Sequence, residues 1–78
     1  MDVYVTYKEK KELFSIQKNK IQIGRRVIII NKNLKIKYRF FNNIAKGLYL
    51  NGEYFTFLNN SEVKQIHDIL SELINTSE

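Results

Sequence analysis

Between Gly47 and Ile74 the hydrophobic period of the chain changes from two to roughly 3.6 residues. Leu48 and Leu50, then Tyr54, Phe55, Phe57 and Leu58, are strand formers on either side of Asn51-Gly52. Asn-Gly between two such runs predicts a tight hairpin, because a type I′ turn needs positive φ at both central residues. Asn59, Asn60 and Ser61 come next, residue types that favour helix caps. Val63, Ile66, Ile69, Leu70, Leu73 and Ile74 then recur on one helical stripe. That stripe has to cover an apolar sheet face.

Upstream, the pattern predicts strand after strand. Val3–Tyr7 is a strand by propensity. Lys8–Glu12, charged at every residue, reads as a solvated turn before a second strand over Leu13–Gln17. Lys18-Asn19 is a tight turn. A third strand follows from Lys20, with Ile21 and Ile23 on one face, and Gly24 marks a bulge or bend. Val27–Ile30 is apolar at consecutive positions, which predicts a central strand covered on both sides. Asn31–Asn33 turns the chain into a segment that alternates. There Leu34, Ile36, Tyr38 and Phe40 point one way, and Lys35, Lys37 and Arg39 the other. Asn42-Asn43 breaks this strand, and Ile44-Ala45-Lys46 leads into the hairpin and helix. The expected fold is α+β: one domain over residues 1–78, an antiparallel meandering sheet of five to seven strands, and one C-terminal amphipathic helix packed on it.

Several function classes are disfavoured by what the chain contains. It has no Cys and one His, which argues against disulfides and a structural zinc site. The longest apolar run, Val27–Ile30, is four residues, far below the roughly 18–20 of a membrane span. The N-terminus begins with Asp2 and a strand-like segment, with no basic region before a long apolar core. The expectation is no signal peptide, no membrane partner and a cytoplasmic location. His67 flanks the helix stripe with no Ser, Cys or second carboxylate placed to work with it, and Lys64–Asp68 is an ordinary surface pair. No catalytic residues, metal or cofactor are expected, so the chain reads as a binding module and not an enzyme.

Charge is distributed unevenly. Leu13–Gly52 contains no acid, yet it holds Lys18, Lys20, Arg25, Arg26, Lys32, Lys35, Lys37, Arg39 and Lys46. Ser61–Glu78 holds Glu62, Asp68, Glu72 and Glu78 against Lys64. If an acidic helix covers one sheet face, the cations gather on the other face and at the turns. Rows of cations with interleaved rings suit single-stranded nucleic acid, because cations follow phosphates and rings stack on unpaired bases. The candidate site residues are Lys20, Arg25, Arg26, Lys35, Lys37 and Arg39, with Tyr38 and Tyr49 as stacking rings. Lysine rows on strands also keep sheet edges soluble, and most of the aromatics are needed for the core of so small a domain, so a solvated basic face is the competing reading.

Two families share the layout. Leu13–Lys18, Ile21-Gln22-Ile23, Leu34–Phe41 and the strand passing through Asn59-Asn60-Ser61 into a helix together resemble the Whirly-type, positive-cofactor-four-like domains. The likeness covers residues 13–74. It implies single-stranded-DNA binding, a homodimer, and strand faces around Lys20, Arg25, Arg26, Lys35, Lys37 and Arg39 turned to the nucleic acid. The meander closed by an amphipathic helix is also similar to small pleckstrin-homology-like domains, which implies a protein or phosphoinositide ligand. The alternative to nucleic acid is a small protein-binding regulator or inhibitor, of the kind phages and mobile elements encode, whose basic face meets an acidic host protein.

Overall fold

The computed structural model describes residues 1–76; Glu78, counted above with the acidic helix, lies outside them. In chain order the elements are β1 (Asp2–Tyr7), β2 (Lys10–Ile16), β3 (Lys20–Ile23), β4 (Arg26–Ile29), β5 (Ile36–Phe41), β6 (Ile44–Leu50), β7 (Glu53–Phe57) and α1 (Ser61–Thr76). The seven strands form one sheet in the spatial order β4-β3-β2-β1-β7-β6-β5. Two meanders, β1–β4 and β5–β7, are joined where the first strand meets the last, with Val5 opposite Phe57 and Thr6 opposite Thr56. All pairings are antiparallel. This is the α+β arrangement that the alternating strands and the final helical stripe predict.

Turn chemistry sets the register. Asn51-Gly52 has φ of 52° and 88°, the type I′ pattern, and holds Leu50 opposite Glu53. Asn42-Asn43 turns the same way, at 51° and 66°. So does Lys8-Glu9, at 50° and 67°. The turn in the KEKKE run is therefore confined to Lys8-Glu9, and Lys10–Glu12 belong to β2. Gly24 is neither bulge nor bend. Its φ of 58° opens the β3–β4 hairpin while Arg25 keeps negative φ, which fits type II′.

The sheet curls around its concave face. Phe14 on β2 packs its ring 5.4 Å from Phe57 and 6.1 Å from Phe55, both on β7. Tyr7 stacks on Phe55 at 4.7 Å. At the rim, Glu53 of β7 accepts a hydrogen bond from the Tyr7 hydroxyl at 2.6 Å and is ion-paired with Arg26 of β4. A flat sheet could not bring β4 and β7 together across three intervening strands. The helix lies over β5 and β6. Its Val63, Ile66 and Leu70 are buried, while Leu73 and Ile74 are partly buried against the same core. Asn59 caps it: the side-chain oxygen accepts from the Ser61 amide at 3.0 Å.

The run Val27–Ile30, expected to be a central strand covered on both faces, falls at the edge strand β4 instead, with Ile30 just past its end. It pairs with β3 alone. Ile28 and Ile30 enter the core, while Val27 and Ile29 stay 45% and 55% exposed on the outer face. Consecutive apolar residues carry no alternation, so they give no sign of which face is covered, or whether both are.

Candidate nucleic-acid interface

The convex outer face of β5, β6, β7 and β1 is built by the period of two. On β5, Tyr38 meets the helix, so Lys37 and Arg39 must face outward. Lys35 lies just before β5, yet its place is fixed. Its amide donates to the Asn51 side-chain oxygen at 3.0 Å, and its carbonyl accepts from the Asn51 amide at 2.9 Å. The hairpin turn thus extends the β5–β6 ladder by one residue and holds Lys35 in line with Lys37.

Opposite these cations stand tyrosines. The Asn51-Gly52 turn pairs Tyr49 with Tyr54, edge to face at 6.0 Å. The Lys37 ammonium is 5.8 Å from the Tyr49 ring centre. The Arg39 guanidinium lies 4.1 Å from that of Tyr54, and its Nη1 donates to the Thr56 hydroxyl at 3.1 Å. Farther along the same face, Lys11 of β2 sits 4.5 Å over Tyr4 of β1. Cations over ring faces at these distances attract the rings, and each can still meet an anion from the solvent side. A depression of about 420 Å³ opens between Lys35, Lys37, Tyr49 and Gly52. Among the described residues, Asp2 is the acid whose strand position falls on this face, at the far end beside Ser15. Glu12 and Glu53 belong to the concave side.

Of the residues singled out from sequence, Lys35, Lys37, Arg39 and Tyr49 come together here. Lys20 shares the convex face but stands on β3, several strands away. Arg25 is in the β3–β4 turn, and Arg26 is committed to Glu53 at the concave rim. Tyr38 is corrected: it lies on the opposite face, stacked on His67 of the helix at 4.2 Å. The same alternation that turns Lys37 and Arg39 outward turns Tyr38 inward. Tyr54, Thr56, Tyr4 and Lys11 were missed. The first two follow from the register that Asn51-Gly52 imposes. The last two depend on the Lys8-Glu9 turn, whose residues give no hairpin signal.

His67 has a structural explanation in its stack on Tyr38. The shifted ionisable groups lie on the helix, away from the outer face. Lys64 donates to Asp68 at 2.7 Å, which holds the Lys64 amine above its ordinary value and the Asp68 carboxyl below its own. What the outer face offers chemically is cations and π faces. No helix among the described residues is long and apolar enough to cross a membrane. No protein-family model matches the chain, and neither a curated protein nor a solved structure matches it.

Proposed function

We propose that this protein is a non-enzymatic module that binds single-stranded nucleic acid on the convex face of β5, β6, β7 and β1. One observation carries the reading. Lys37, Tyr49, Tyr54 and Arg39 interleave across three adjacent strands, with Lys35 beside them and Tyr4–Lys11 continuing the pattern. Phosphates need the cations and unpaired bases need the rings, and a sheet presents both at strand spacing. Fluorescence anisotropy of labelled oligonucleotides at low salt tests it. Binding is expected for single strands in preference to duplex, and the combined variant Lys35→Glu, Lys37→Glu, Arg39→Glu should lose it while keeping its circular dichroism spectrum. Failure of every single-stranded oligonucleotide to bind at low salt would end the reading, because an electrostatic site is strongest there.

An acidic protein partner is the second reading. It is favoured by Val27 and Ile29, exposed on edge strand β4 next to the row that carries Lys20. Apolar side chains beside cations suit a protein surface better than a phosphate chain. A pull-down with and without nuclease separates the two: nuclease would release a nucleic-acid-bridged partner and leave a direct protein contact.

A further inference from the structure

The β5–β6 hairpin ends in an apolar tip. Phe40 and Phe41 are 63% and 64% exposed and Ile44 is 48% exposed, around the Asn42-Asn43 turn. Two open phenylalanines on one turn are costly to leave in water and contribute little to the core. They also differ from each other. Phe40 is on the helix side, its ring 5.7 Å from that of Tyr38. Phe41 follows Lys37 and Arg39 in the outward alternation of β5, opposite Ile44. The convex row therefore runs Lys35, Lys37, Arg39, Phe41, six residue steps or about 20 Å of strand.

We propose that the nucleic-acid strand tracks along β5 and that Phe41, supported by Ile44, stacks on an unpaired base at the hairpin tip. This deepens the function proposed above and rests on it. The charge arrangement argues for this occupant. The tip ends a row of three cations in a stretch of chain that contains no acid, so a polyanion bound to the row is led past Phe41. A ring there meets bases while Arg39, two residues back, meets the phosphate. Stacking of this kind prefers an unpaired base and is tolerant of which base it is, since every base has a π face.

The test compares Phe41→Ala with Phe40→Ala, measured with a labelled oligothymidine over a range of salt. The two variants remove the same side chain from the same hairpin on opposite faces. Phe41→Ala should weaken binding by between about five- and a hundred-fold at every salt concentration and leave the salt dependence unchanged, because stacking releases no counterion. Phe40→Ala should stay within about two-fold of the parent. The inference is overturned if the parent binds and Phe41→Ala binds as well as it does, or if Phe40→Ala loses as much. A parent protein that binds no oligonucleotide overturns the function and this inference together. Vesicles rich in anionic lipid form a second arm: capture that depends on both Phe40 and Phe41, with no oligonucleotide binding, would assign the tip to a lipid surface.

Discussion

Arg39 on β5 donates to the hydroxyl of Thr56 on β7, reaching across the whole width of β6. The residue between them in the register is Gly47, opposite both Arg39 and Thr56. With no side chain at that point, the guanidinium crosses the strand and reaches Tyr54 as well. Gly47 also follows the irregularity that shifts β6 against β5 between Arg39 and Phe40. One small residue thus lets β6 and β7 close up and lies at the point where one cation crosses from β5 to β7.

Replacing Gly47 with Ala tests this close approach. An ideal Cβ there would lie 1.9 Å from the Phe55 carbonyl oxygen and 3.0 Å from the Thr56 Cα, both backbone atoms. Backbone cannot swing aside as a side chain can, so β6 and β7 must separate. A loss of at least about 2 kcal/mol is expected, as for overpacked cores. For a domain of this size that lowers Tm by roughly 10 °C or more. A thermal melt within a couple of degrees of the parent would show that the strands have room to spare.

Ile66 gives the corresponding test for the helix. It is fully buried over the sheet, so Ile66→Asp places an unpaired carboxylate in the core. The penalty, about 4 kcal/mol or more, rivals the total stability of a small domain, and the variant should be unfolded at room temperature. Leu73→Asp, at a position only partly covered, should remain folded and melt lower. A folded Ile66→Asp protein with native far-ultraviolet circular dichroism would show the helix to be peripheral.

Lys8-Glu9 occupies a type I′ turn without an Asn or Gly to ease its two positive φ angles. The six-pair ladder between β1 and β2 holds the turn in place against that cost. Changing Lys8-Glu9 to Asn-Gly should therefore stabilise the protein by up to about 1–2 kcal/mol, seen as a rise in Tm. An unchanged or lower Tm would mean that Lys8, which lies 5.3 Å over the Tyr7 ring, contributes more than the backbone strain removes.

This turn also marks where the fold stopped being legible in the sequence. Asn51-Gly52, the alternation from Leu34 to Phe41 and the stripe from Val63 to Leu70 each carry a local physical signature, and each has its expected form. Lys8-Glu9 carries none, because the ladder of its two flanking strands, and not its own residue types, imposes its conformation. Val27–Ile30 misled for a related reason, since four apolar residues without alternation look alike at an edge and in the middle of a sheet. The convex patch was half legible. Lys35, Lys37 and Arg39 share a face by period alone, and Tyr49 belongs with them. The contact of Arg39 with Thr56 needed the position of Gly47 in a register that local spacing does not show. Tyr38, a candidate stacking ring by residue type, is sent to the helix by the alternation that sets it opposite Lys37 and Arg39.

The salt dependence of binding tests the proposed function most sharply, because it counts contacts without knowing the ligand's sequence. Each cation that meets a phosphate of a single strand releases condensed counterion, and log K falls with log salt by about 0.7 per contact. Lys35, Lys37, Arg39 and Lys11 on the convex face would give a slope of about −3. Removing one of them, as in Lys37→Gln, should reduce the slope by about 0.7 and weaken binding similarly for every oligonucleotide sequence. Lys32 stands in the loop between β4 and β5, outside the row, and Lys32→Gln should leave the slope where it was. The part of the affinity that persists at high salt should belong to the rings: Tyr54→Ala should lower it by about 1–3 kcal/mol with little change in slope. Equal slopes for the parent and Lys37→Gln would remove that lysine from the interface. Equal losses from Lys37→Gln and Lys32→Gln would mean that net charge, and not this face, attracts the strand.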